Sequence, residues 1–77
     1  MFNKNLLKMK MVGAGITTEK LANLLGINSA TLYRKMRGES DFSRSEIIII
    51  RSILGLSADE AEAIFFAPEL TDTQETA

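Results

Sequence analysis

Apolar side chains along this chain gather into five short groups, each spaced for one face of a helix and each closed by a glycine or a proline. The first group holds Leu7 and Met11, on a helix from Asn3 or Lys4 to Ala14 that stops at Gly15. Thr17 caps the second, which carries Leu21, Ala22, Leu24 and Leu25, and Glu19 sits near the positive end of its dipole. Gly26 ends that helix, and Asn28 caps a third running to about Arg37, with Gly38 beyond. Ser43 with Glu46, and Ser57 with Glu60, have the spacing of capping boxes, so a fourth and a fifth helix begin there. The run Ile47 to Ile50 has the propensity of a β-strand. The box before it, the apolar spacing continued through Ile53 and Leu54, and the stop at Gly55 predict a helix instead. The fifth helix joins Ala61, Ile64 and Phe65 and ends before Pro68. From Glu69 onward the chain is polar and patternless. The expectation is an all-α, five-helix domain over residues 1–68 with a flexible acidic tail over 69–77.

Seventy-seven residues make one small domain whose core is too thin for an elaborate catalytic cleft. Nothing approaches the ~20 apolar residues of a membrane span. Lys8 and Lys10 break the apolar run near the N-terminus before it can act as a signal-peptide core, so a cytoplasmic location is expected. The chain has neither cysteine nor histidine, which excludes disulfides, thiol nucleophiles, zinc fingers and the usual proton shuttle. Its acids lack the spacing of a calcium loop. No metal, no cofactor and no enzymatic activity are expected.

The net charge of −1 conceals a division. All nine lysines and arginines lie within residues 1–51, against four acids, a surplus of +5; residues 52–77 carry six acids and no base, or −6. A basic body beside an acidic end suits a protein with one face turned to phosphate, although acidic ends also serve simply as solubilising tails.

The stretch TTEKLANLLGINSATLYRKMRG, residues 17–38, narrows the reading. Two short helices meet there at a turn of Gly26, Ile27 and Asn28. Ala22 lies four residues before the turn glycine and Leu32 six after it. Helices crossing steeply need a small residue at their contact, a glycine tolerant of positive φ at the turn, and apolar plugs such as Ile27, Leu32 and Met36. A plain helical hairpin shares some of this pattern; the joint match favours a helix-turn-helix, whose second helix commonly lies in the DNA major groove.

With two further capped helices after that motif, the chain resembles the phage-repressor and Cro-type helix-turn-helix family over roughly residues 3 to 66. The turn Gly26-Ile27-Asn28, the recognition-helix segment SATLYRKMRG, the apolar segment SEIIIIRSILGLS and the ending Ile64-Phe65-Phe66 carry the resemblance. It implies a lambda-repressor-like fold, double-stranded DNA at a palindromic operator as the partner, and regulation of transcription without a small-molecule ligand. Where family members often place glutamine on a phosphate, this chain has Thr18. Lys35 stands where an apolar or aromatic residue is common, and its aliphatic stem or neighbouring Met36 can fill that space.

Given Leu32 and Met36 inward, helical spacing puts Ser29, Ala30, Tyr33, Arg34 and Arg37 on the opposite face. Arg34 can pair with both O6 and N7 of guanine, or else bond a phosphate. Ser29 can bond a base or a phosphate, and Ala30 suits a thymine methyl. Tyr33 either lies on a methyl group or packs on the second helix. Thr18, Asn28, Lys35, Arg37 and Arg44 are the phosphate candidates. Lys4, Lys8 and Lys10 read chiefly as a solvated helix face.

The fourth helix has more isoleucine than one buried stripe uses. At about 100° per residue, Ile47, Ile50, Ile53 and Leu54 share a side, Ile49 lies at its edge and Ile48 points away. Ile48, Ile49 and Phe66 are therefore the expected interface of a homodimer, which would present two recognition helices to one DNA face. The alternative keeps the fold but not the DNA: a protein-interaction module of antirepressor or antitoxin type using this isoleucine surface.

Overall fold

The computed structural model describes residues 2–66, and within them the fold is all-α, with five helices and no strand. They are α1 (Lys4–Ala14), α2 (Thr18–Leu25), α3 (Ser29–Met36), α4 (Arg44–Leu54) and α5 (Ala58–Phe65). The acidic tail expected at 69–77, and Pro68 before it, lie outside the described residues.

Every helix begins on a side-chain cap. The oxygens of Asn3, Thr17, Asn28, Ser43 and Ser57 each accept from the backbone N–H three residues on. Both expected capping boxes close, with Glu46 and Glu60 accepting from the N–H groups of Ser43 and Ser57 at 2.8 and 2.9 Å. A second device repeats with the caps. The residue before each cap is apolar, and so is the fourth residue of the helix: Phe2 and Leu7, Ile16 and Leu21, Ile27 and Leu32, Phe42 and Ile47, Leu56 and Ala61. All ten side chains belong to the core or pack against it. This is the spacing of a hydrophobic staple, which sets the angle at which the chain enters the helix.

One side chain from each helix is completely buried: Leu7, Leu21, Leu32, Ile50 and Ile64. Removing such a side chain from a packed core costs roughly 2–5 kcal/mol, so these five positions carry much of the stability. α4 lies centrally, against α1, α2 and α5, while α3 packs chiefly on α2. Phe2, Phe42 and Phe65 form an aromatic cluster with ring centroids 5.1 to 5.8 Å apart. The two ends of the described chain are joined as well. The Asn3 N–H donates to the Ile64 carbonyl at 2.6 Å, and Lys10 pairs with Glu60. No described helix is long and apolar enough to cross a membrane.

Candidate nucleic-acid interface

α2 and α3 are separated only by Gly26, Ile27 and Asn28. Gly26 takes φ 75°, a left-handed conformation that a side chain would strain, and its N–H bonds back into the last turn of α2. The Ile27 N–H donates to the Ala22 carbonyl at 3.0 Å, and Ala22 is 2% exposed. The alanine is therefore small where the two helices meet. Asn28 starts α3 at once, its Oδ1 accepting from the Thr31 N–H at 2.8 Å.

Burial of Leu32 and Met36 leaves the other side of α3 in solvent. Ala30, Tyr33, Arg34 and Arg37 are exposed there, and Ser29 is half-buried at the first turn. The expected reading face is thus one continuous strip. Three of its side chains, Arg34, Tyr33 and Arg37, have different local partners. Arg34 makes a long 3.4 Å hydrogen bond from Nη2 to the Thr31 hydroxyl and has no carboxylate in salt-bridge contact among the described residues. Tyr33 leans toward α2, its hydroxyl 3.5 Å from a Glu19 carboxylate oxygen, at the weak limit of hydrogen bonding. Arg37 donates from Nε to Glu39 at 2.8 Å, both side chains being about half exposed. That hydrogen bond, and then the guanidinium charge, hold the Glu39 carboxyl below its ordinary pKa.

Lys35 takes a position different from the expected phosphate contact. Its side chain is only 14% exposed, with the ammonium 3.2 Å from Glu46 and 3.0 Å from the Asp41 carbonyl. The stem shares a depression with Phe2, Phe42, Ile47 and Phe65, so the lysine both fills apolar space and ties α3 to α4. A phosphate would have to displace both partners. Burial pushes the Glu46 carboxyl up, but the hydrogen bonds from the Ser43 N–H and from Lys35 outweigh it, and the net shift is downward.

A carboxyl whose folded pKa is depressed stabilises the fold above its ordinary value, near 4.5, and loses that contribution as pH falls through the folded value. Urea denaturation should therefore show stability declining below about pH 4 in part through Glu46. At neutral pH, Glu46→Ala strips a cap and leaves a half-sequestered ammonium unpaired, an expected loss of about 2 kcal/mol. Lys35→Met leaves the capping box intact and the Glu46 carboxylate still bonded to the Ser43 N–H, so a smaller loss, about 1 kcal/mol, is expected. Equal losses in both variants would show that the charge pair, and not the cap, dominates.

Of the remaining phosphate candidates, Thr18 is half-buried at the first residue of α2, and Asn28 and Arg44 are exposed at the starts of α3 and α4. On α1, Lys4 and Lys8 are exposed, whereas Lys10 is engaged with Glu60. The expected dimer residues divide. Ile48 and Phe66, 59% and 60% exposed, line one open depression of about 440 Å³ with Phe42, Arg44 and Ile47. Ile49, 38% exposed, does not line it.

Sequence reasoning missed the acids that engage these cations. Glu39 follows Arg37 by two residues across a glycine turn, and Glu46 lies on another helix, so no helical periodicity signals either pair. It also missed Thr31, although a position three residues before Arg34 on one helix is readable as a neighbour. Among the described residues, no group of three or more His, Cys, Asp or Glu side chains is placed to hold a metal ion. Compared with family models, with curated proteins and with solved structures, the chain matches none.

Proposed function

We propose that α2, its turn and α3 act as a helix-turn-helix, and that the protein is a sequence-specific regulator of transcription that binds duplex DNA as a homodimer. The observation that carries this reading is the exposed strip Ala30, Tyr33, Arg34 and Arg37, opposite the buried pair Leu32 and Met36. Placed in a major groove, the first turn of α3 brings Ser29 and Ala30 toward base edges, and Arg34 meets a guanine through two parallel hydrogen bonds. Thr18, Asn28, Arg37 and Arg44 lie where they can hold the flanking phosphates. The depression around Ile48 and Phe66 is the surface for a second subunit, and two subunits read a palindrome. The operator is occupied and polymerase is excluded, in the cytoplasm of a bacterial cell or a phage-infected host.

Arg34→Ala tests the reading. A preferred duplex is selected from a random pool with the wild-type protein, and both proteins are titrated against it and against random duplex. The substitution should weaken the preferred duplex by about 1–3 kcal/mol and relax selection at one base pair per half-site. A uniform loss on both duplexes would assign Arg34 to phosphate. A wild type that binds no duplex would turn the reading to the interaction module.

A further inference from the structure

Glu39 is placed by the backbone as well as by its ion pair. Its N–H donates to the Arg34 carbonyl at 2.9 Å, and the Gly38 N–H donates to that of Lys35 at 3.1 Å. Gly38 takes φ 85°, which lets the chain fold back over the end of α3. The backbone thereby places the Glu39 side chain at the C-terminal end of the exposed strip. It holds Arg37 through Nε and also feels the charge of Arg34. Lys35 is engaged with Glu46, so two of the three cations contributed by residues 34–37 already face a carboxylate in the free protein.

We propose that Glu39 is the residue that sets the affinity of this interface, by competing with DNA phosphate for Arg37. The inference rests on the duplex-binding reading. Full engagement of Arg37 with phosphate exchanges a 2.8 Å hydrogen bond to Glu39 for one to a phosphate oxygen. The carboxylate is then left beside the polyanion, where both charges repel. Because the exposed ion pair is itself weak, the exchange is possible; because the reversal at Gly38 holds the Glu39 backbone at the end of α3, its carboxylate stays near the strip and its repulsion persists in the complex. The cost falls on every sequence alike. Glu39 thus limits how tightly the protein holds any duplex, while Arg34 determines which duplex it prefers.

Glu39→Gln keeps the backbone hydrogen bond and the size of the side chain but removes its charge. Wild type, Glu39→Gln, Arg37→Ala and the double variant are titrated by fluorescence anisotropy against the selected duplex and against random duplex across a salt series. Circular dichroism checks that each is folded. Glu39→Gln should tighten binding to both duplexes by roughly three- to tenfold and steepen the salt dependence. In the Arg37→Ala background the same substitution should have a clearly smaller effect, since only repulsion remains to be relieved. Wild type and Glu39→Gln binding equally, or the variant binding more weakly, overturns the proposal while the duplex-binding reading stands. An equal gain with and without Arg37 overturns the competition. Absence of salt-dependent duplex binding by all four proteins overturns both readings together.

Discussion

Ile48→Lys is expected to leave the protein folded, to separate it into monomers, and to lower operator affinity by about a hundredfold or more. Ile48 sits on α4 with most of its surface in solvent, while Ile50 on the same helix is fully buried. A lysine at position 48 of the free monomer keeps its ammonium in water and disturbs no core contact. Against a second subunit it meets the apolar surface of Phe42, Ile47 and Phe66 with Arg44 close by, so its charge is both desolvated and repelled. The loss on DNA exceeds the loss of one contact because linkage of two recognition helices makes the second half-site encounter intramolecular. Sedimentation of both proteins, free and with a palindromic duplex, reads the assembly, and circular dichroism reads the fold. A wild type monomeric in both conditions removes the dimer. An unfolded variant shows that Ile48 supports the core.

Raising monovalent salt from about 50 to 200 mM should weaken duplex binding by about a hundredfold. In the proposed dimer, Arg37 and Arg44 of each subunit would neutralise about four phosphates. The released counterions then give a slope of roughly −3.6 in log K against log salt. Arg37→Ala should flatten that slope by about one unit per subunit and weaken all sequences alike. The predicted slope is modest for a DNA-binding surface. In the free protein Lys35 is paired with Glu46 and is not expected on a phosphate, and all nine lysines and arginines lie within residues 1–51. Binding that is equal at both salt concentrations would end the duplex reading, since phosphate contacts cannot be made without counterion release.

The helix starts were legible because their chemistry is local. A serine and a glutamate three residues apart need no tertiary information to close a box, and Ser43 with Glu46 and Ser57 with Glu60 did so. The exposure of Ile48 against the burial of Ile50 likewise follows from the angle per residue. That Ile49 lies outside the depression lined by Ile48 and Phe66 was not legible, since the outline of a surface depression depends on which helices flank it. The ion pair of Lys35 was not legible for a similar reason. Its partner Glu46 lies eleven residues on in another helix, and only the packing of α3 beside α4 shows that the two charges meet. The Arg37–Glu39 pair depended on the backbone reversal at Gly38, which periodicity cannot reveal. The pairs of apolar residues bracketing every cap were legible in principle and were overlooked, because caps and helix faces were read separately.

Those five bracketing pairs bear on how the chain reaches its native state. Each joins positions five residues apart, so every helix can define its own start by closing only a very short loop. Contacts of that range cost little chain entropy, and helical folds built from them reach the native state in microseconds to milliseconds. The slower part of the search is then the docking of helices whose starts are already defined. A chain that folds on that timescale exposes unpaired apolar surface only briefly after synthesis or after transient unfolding, which keeps the time available for aggregation short.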